Sequence, residues 1–415
     1  MHICIFQTGE PLHIDQGDYR PMRCMLLTDQ LIKKGHKVSI LASDFFHQRK
    51  LHRTKSFKKF SVKKNLNIYL IPSPGYKKHI SLERVYDHFI LAIRLHIFLN
   101  SNKRFKIDKV FIGYPPILTS LIMCFWCLKN KIPFMLDVKD KWPEQFLEPF
   151  KGNLKIVAKK LLWPYYVASR YVFTKANKIT SITEEYINWI KEFSRSKKCS
   201  SSYFVSPLIR KPFNLSIDEL NKSINFWKKR NINILESKYF CFVGSYTKSF
   251  DFNFIYKAAL KLSKSYPSVL FIICGSGDQY NNILEKFSNC QNVKVFGEID
   301  KFNSKVLVKN ALATIAPYIN NANFKVHIPN KIIESLENQT PFITSIDGKL
   351  KKLIEKYNNG IYIRNDINLD ISKFEKLIND DIYLLNIQAN AERSYKELFN
   401  FEKTFNQIIE NIILI

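Results

Sequence analysis

A lysine and a glutamate three residues apart, just inside a helix start, are the side chains in this sequence best placed for anion chemistry. They lie in VHIPNKIIESLENQTPFITS, Val326 to Ser345. Pro329 suits a first helical turn and Asn330 can cap one, so a helix is expected from this point. Ile332, Ile333 and Leu336 give it an apolar face. Thr340-Pro341 ends it, and Phe342-Ile343-Thr344 reads as strand. Lys331 and Glu334 then share one face near the positive helix end. A helix N-terminus bearing a lysine suits a diphosphate, and a carboxylate one turn further in suits a diol such as that of a ribose. The same pair also fits an ordinary surface helix with a solvated ion pair, so the surroundings decide.

Those surroundings are a series of strands ending in short, glycine-bearing loops. Tyr239 to Val243 reads as a strand followed by Gly244-Ser245-Tyr246-Thr247-Lys248. Val269 to Cys274 ends in Gly275-Ser276-Gly277-Asp278, and Val293 to Phe296 in Gly297-Glu298-Ile299-Asp300. Ala313 to Ala316 ends in Pro317-Tyr318, and PNKIIE follows. Glycine at a strand end lets a ligand approach the backbone.

The first half alternates strand and helix in the same way, which predicts a parallel, doubly wound sheet. His2 to Gln7 is a strand, Arg20 to Lys34 a helix and Val38 to Ala42 a strand. The loop after the first strand carries Glu10, His13, Asp15 and Asp18, then Arg20 and Arg23. Open α/β sheets bind ligands at such strand ends. The loop lacks GxGxxG and is not a dinucleotide loop. Phe134 to Asp137 is a strand followed by DVKDKWPEQ, where Asp140 and Glu144 flank Trp142. Two carboxylates beside a tryptophan suit hydroxyl or proton handling on a sugar; Asp140 equally suits a helix cap. Leu82 to Leu99 reads as an amphipathic helix, and Leu154 to Phe173 as one long apolar helix carrying Lys155, Lys159 and Lys160.

At 415 residues the chain has room for two cores. Lys+Arg 64 against Asp+Glu 36 gives a net charge of +28, which calls for an anionic partner: nucleic acid, an acidic membrane leaflet or phosphorylated substrates. Arg49 to Lys64 holds eight Lys/Arg and no acid, with Leu51, Phe57 and Phe60 between them. This favours a membrane-surface segment over nucleic acid, since no nucleic-acid module surrounds it. The eight cysteines make no zinc spacing, and Cys124-Phe-Trp-Cys127 sits in an apolar run suited to packing. The opening HICIFQTG lacks a signal-peptide layout. Pro115-Pro116 breaks the longest uncharged run, Val110 to Leu128, so no bilayer span is expected. Together these features predict a cytoplasmic protein.

The ordered set GSYTK, GSGD, GEID and APY, closed by PNKIIE, resembles the donor domain of the retaining glycosyltransferases of family 4. That family has a GT-B fold: two Rossmann-like, doubly wound parallel-sheet domains facing across a cleft. GEPLHID, PMRCMLL, GHKVSIL, SDFFHQRK and DVKDKWPE in the first half are similar to the branch that builds bacterial surface polysaccharides. The resemblance implies an acceptor domain over 1–213, a linker or insertion over 214–237, a donor domain over 238–395 and a C-terminal helix over 396–415 that packs back on the first domain. It implies transfer of a hexosyl or N-acetylhexosaminyl group from a nucleotide-diphosphate sugar to a lipid-linked saccharide, with retention, at the cytoplasmic face of the inner membrane. An anionic membrane surface is the implied partner, and neither a metal nor a resident cofactor is expected.

By the same resemblance Gly244, Lys248, Gly275, Glu298, Pro317, Asn330, Lys331 and Glu334 bind the donor. Glu10, Arg20, His47 and Trp142 bind the acceptor, and Asp15 and Asp140 join Lys331 and Glu334 in catalysis. The family's first motif glutamate would fall at Val326, so sugar recognition is expected from His327 or the backbone around Phe324. The family's glycine near Gln339 is also missing, and Asn338 is expected to adopt the helix-end conformation. A sugar-nucleotide epimerase of GT-B shape and a basic nucleic-acid-binding protein are the competing readings.

Overall fold

The computed structural model describes residues 1–17, 20–78, 81–101, 106–196, 198–320, 322–326, 328–364 and 369–415; Asp18 and His327 lie outside them. The chain forms two units, one of residues 1–211 with 401–415, the other of residues 212–400.

The first unit is built on strands that are largely apolar at the centre of the sheet, as coverage on both faces requires. They are β1 (His2–Phe6), β2 (Lys37–Ser43), a small antiparallel pair β3 (Phe45–Phe46) and β4 (Leu51–His52), β5 (Lys58–Lys63), β6 (Leu66–Ile71), β7 (Lys109–Tyr114), β8 (Phe134–Val138), β9 (Lys178–Ser181) and β10 (Tyr203–Val205). The main sheet runs β10-β9-β8-β7-β1-β2-β6-β5, parallel except for β5. The chain winds outward from β1 through β2 and β6, then returns to β7 on the other side of β1. That reversal is the switch point where such sheets take ligands.

The lysine-rich run, expected as a surface segment, contributes the edge strand β5. Lysines along an exposed edge block pairing with other chains, which explains part of the run without any partner. Phe57 stacks on Phe98 at 6.1 Å, and Lys58 lies 5.0 Å over the Phe60 ring.

The helix expected over Leu154–Phe173 is two helices, Gly152–Leu161 and Trp163–Lys175, meeting at Leu162. Pro164 has no N–H to continue the first helix, but it fits the opening turn of the second. Cys124 and Cys127 are buried on the helix Ile117–Lys129, and burial pushes the Cys124 thiol up to about 12. They are packing residues. The C-terminal helix Phe401–Leu414 lies against β7 and the helix Arg23–Lys33. Lys178 Nζ donates to Asn411 Oδ1 at 2.5 Å, tying it down.

Among the described residues the second unit has six parallel strands: β11 (Tyr239–Val243), β12 (Leu270–Cys274), β13 (Val293–Phe296), β14 (Ala313–Ala316), β15 (Phe342–Thr344) and β16 (Gly360–Tyr362). Their order is β13-β12-β11-β14-β15-β16, so the switch point lies between β11 and β14. Residues 214–237, expected as a linker or insertion, belong to this unit. The helix Ile217–Lys228 starts in a capping box of Ser216 and Glu219, and the fully buried Trp227 donates to Asn303 O at 3.3 Å.

The helix Asn330–Glu337 differs from expectation at both ends. Pro329 is its N-cap and offers no side-chain bond, while Asn330 is the exposed first helical residue. At the other end Asn338 keeps φ −90 and donates its amide to Glu334 O at 2.8 Å. Gln339 takes the left-handed conformation, with φ 61.

Candidate functional site

In the second unit the chemistry gathers at the carboxyl ends of β11 and β14. Gly244 follows β11, and its N–H donates to Cys274 O at 2.9 Å. A Cβ on Gly275 would stand 1.7 Å from Gly244 O, so only glycine lets these two loops approach this closely. Tyr246 laces them further. Its N–H donates to Ser276 O at 2.7 Å and its hydroxyl to Phe296 O at 2.7 Å.

Lys331 reaches into this cluster from the helix that follows β14. Its ammonium lies 3.9 Å from the centre of the Phe242 ring and 4.3 Å from that of Phe250. A Cβ on Gly244 would fall 1.4 Å from Nζ, so the ammonium covers the glycine itself. The nitrogen is buried and has no hydrogen-bond partner among the described residues. Burial pushes its pKa down to about 7, against the upward pull of Glu334. Two ring faces favour a cation but leave all three N–H donors unused. A buried cation with idle donors beside bare glycine backbone has the chemistry to receive an anion.

Glu334 is half-buried one turn along the same helix. Glu298 is exposed and accepts from Ser276 Oγ at 3.2 Å, at the neighbouring strand end. Lys248 is exposed. Pro317 is buried, and its carbonyl accepts Asp251 N–H at 2.7 Å. Phe242, Phe250 and Tyr246, which hold Lys331 and the loops, were not singled out by the sequence. Their aromatic character is ordinary for strand and loop packing, and only the fold shows what they surround.

In the first unit a pocket of about 200 Å³ opens at the β1/β7 switch point. The loops after β1, β2, β7 and β8 line it, together with one face of the helix Leu82–Ser101. Gly113 lets Gln7 lie across the strand ends, since a Cβ there would stand 1.9 Å from Gln7 Oε1.

Of the expected residues, Glu10, His47 and Asp140 line this pocket. Glu10 has both oxygens engaged. One meets Lys139 Nζ, and the other accepts Cys24 N–H at 2.8 Å at the start of the helix Arg23–Lys33. Lys139 also donates to Gln7 Oε1 at 3.2 Å and faces Asp137 at 3.5 Å. Burial alone would lower Lys139, but the carboxylates of Glu10 and Asp137 outweigh it and hold the ammonium above its ordinary value. Asp137, fully buried, is gripped by Arg23, whose other nitrogen donates to Ser206 O and to Pro207 O at 3.0 Å.

Asp15, Arg20 and Trp142, also expected here, do not line the pocket. Asp15 receives Arg53 through both oxygens, at 2.6 and 2.7 Å, and Leu12 N–H at 2.8 Å. With both oxygens taken, it pins the loop. Arg20 is exposed and does not line the pocket. Trp142 is 5% exposed and lies behind the wall, its ring under Arg84 at 4.8 Å and against His88 at 5.7 Å.

The residues the sequence missed are Tyr76, Arg84, Asp87 and His88, all on the pocket wall. Tyr76 OH bonds His47 Nδ1. Burial, then Arg84 and His47, push His88 down to about 3, so it is neutral. Arg84, Asp87 and His88 lie on one turn of the helix Leu82–Ser101, the spacing that would have flagged a polar face. No helix among the described residues is long and apolar enough to cross a membrane.

Residues 223–394 match the family model described as glycosyl transferases group 1. No curated protein matches the chain. Among solved structures, the chain is similar to a sucrose-phosphate synthase from Thermosynechococcus elongatus, with 12% identity, TM-score 0.67, and coverage of 99% of this chain and 97% of that one. It is similar to WaaG, a glycosyltransferase involved in lipopolysaccharide biosynthesis, with 14% identity, TM-score 0.60 and 99% of both chains covered. It is also similar to Anabaena Alr3699/HepE in complex with UDP, with 11% identity, TM-score 0.62 and 100% of both chains covered. These likenesses establish a GT-B fold of two parallel-sheet α/β domains. The matched residues fall within the second unit and include its glycine-lined switch point and Lys331.

Proposed function

We propose that this chain transfers a sugar from a nucleotide-diphosphate sugar to a saccharide acceptor, with retention at the anomeric carbon. The observation that carries this is the buried, unpartnered Lys331 ammonium against Gly244, at the switch point of a group 1 glycosyltransferase domain. A diphosphate placed there supplies the anion that Lys331 lacks, and its charge draws the proton back onto a lysine held near neutrality. As the glycosidic bond breaks, negative charge grows on the departing diphosphate. Lys331 and the first amides of the helix Asn330–Glu337 meet that charge without reorganising. Glu334 takes the ribose diol, and Glu298, with Ser276, lies at the strand end suited to the base. That a HepE structure holds UDP supports a nucleoside diphosphate as the ligand class.

The pocket of the first unit takes the acceptor. Asp140 and His47 are its hydroxyl partners, while Glu10 and Lys139 fix the floor. The acceptor is a lipid-linked saccharide of a surface-polysaccharide pathway, met at the cytoplasmic face of the inner membrane, and the basic charge of the chain supports an anionic surface there. Thermal shift against a panel of nucleotide sugars tests the donor assignment. The true donor raises the melting temperature of the wild type by mass action and leaves Lys331→Ala unmoved. Equal shifts in both proteins would refute it.

A further inference from the structure

The helix Gly152–Leu161 has ten residues and none is buried. Leu154, Val157 and Leu161 recur at helical spacing and form one stripe; Leu154 is 68% and Leu161 76% exposed. Trp163, 64% exposed, follows directly. From Lys151 to Lys178 the sequence holds seven Lys/Arg and no Asp or Glu. Apolar side chains on the outside of a helix, flanked by lysines and bordered by tryptophan, fit an anionic lipid interface rather than water.

A second stripe continues this surface. On the helix Leu82–Ser101, Leu91, Leu95 and Leu99 face the core, yet Leu82, Tyr86, Phe89, Ile93 and Ile97 form an exposed row. Leu82 is 87% exposed. The two stripes are joined through Trp142. It packs on Arg84 and His88 of that helix and on Phe146 at 4.4 Å, and the turn Glu144–Leu147 packs against Gly152–Leu161.

We propose that these outward faces are the docking surface for an anionic bilayer, and that they set the acceptor pocket against it. Arg84, Asp87 and His88 line the pocket from the same helix whose outer row is apolar. The helix is therefore a wall shared by the lipid surface and the pocket, and a lipid-anchored acceptor reaches the pocket while its anchor stays in the bilayer. The inference rests on the proposed function only for the nature of that acceptor; the docking itself does not depend on it. It also moves the membrane contact away from Arg49–Lys64, whose β5 strand lies at the sheet edge.

Flotation with vesicles of phosphatidylcholine, with and without roughly one-third phosphatidylglycerol, tests this on the full chain. The wild type should bind the anionic vesicles at least about tenfold more tightly than the neutral ones. Leu154→Gln/Leu161→Gln/Trp163→Gln and Lys155→Gln/Lys159→Gln/Lys160→Gln should each weaken binding about tenfold, whereas Phe57→Ser/Lys58→Gln should not. Donor-induced thermal shift should be unchanged in all three. Failure of the wild type to bind, or undiminished binding by both helix variants, would overturn the proposal. So would a concentration-dependent dimer, seen by sedimentation in the wild type and lost in the apolar variant, since the surface would then be a contact between copies. Loss of the thermal shift in the wild type would instead count against the transferase reading.

Discussion

The two ligand regions handle charge in opposite ways. At the first sheet's switch point the buried charges are paired: Arg23 with Asp137, Lys139 with Glu10 and, at 3.5 Å, with the Asp137 oxygen that takes no hydrogen bond, and Arg53 with Asp15. At the second, the Lys331 ammonium is buried among aromatic rings and glycine with no hydrogen-bond partner among the described residues. A paired buried charge serves structure, because removing one partner strands the other. A buried charge without a partner costs stability in the free protein and repays it only when a ligand arrives. Burial alone does not separate structural from functional ionic groups; satisfaction does.

This contrast is broken most severely by Arg23→Met. The variant leaves Asp137 buried and facing only Lys139 at 3.5 Å, and it should lose about 3–5 kcal/mol of stability by chemical denaturation. Donor-induced thermal shift should survive wherever the protein still folds. Lys331→Met should do the reverse. Turnover should fall by roughly 100-fold or more as the leaving diphosphate loses its cation, while stability at neutral pH holds or rises by about 1 kcal/mol. A destabilised Lys331→Met would mean the lysine is structural after all.

The pH dependence sharpens the same point. Lys331 is lowered to about 7 in the folded chain, below an ordinary lysine. Between that value and about 10 the unfolded chain binds more protons, so the lysine's destabilising effect fades and stability climbs with pH. Donor affinity runs the other way, because only the protonated lysine attracts the diphosphate. It should weaken roughly five-fold between pH 7 and pH 8 in the wild type, and by far less in Lys331→Met. The smallest effect concerns the helix end. Gln339 holds φ 61, a conformation that disfavours a side chain, so Gln339→Gly should raise stability by about 0.5–1 kcal/mol, read as a higher denaturation midpoint.

Much of this organisation is legible in the sequence because it is local. PNKIIE announces its helix through Pro329 and the spacing of Lys331 and Glu334, and the glycines announce strand ends. What is not legible depends on long-range pairing. Asp15 reads as a free carboxylate until Arg53 arrives from a distant strand pair, and Glu10 until Lys139 arrives from β8. Part of the lysine-rich run is an edge strand, which its charge pattern alone does not announce. The outward rows of Leu82–Ile97 and Leu154–Leu161 have the spacing of core faces, and sequence cannot say which way a face turns. Propensity favoured Asn338 for the left-handed position, but Asn338 is the C-cap at φ −90 and the position falls on Gln339.

The central claim is that Lys331 is a buried cation waiting for a diphosphate. Titration calorimetry of the nucleotide sugar chosen by thermal shift, run at pH 7.5 in two buffers of different ionisation enthalpy, tests it directly. The account predicts uptake of roughly half to one proton on binding by the wild type, and none by Lys331→Met if it still binds. Binding without proton uptake, or the same uptake in the variant, would contradict it.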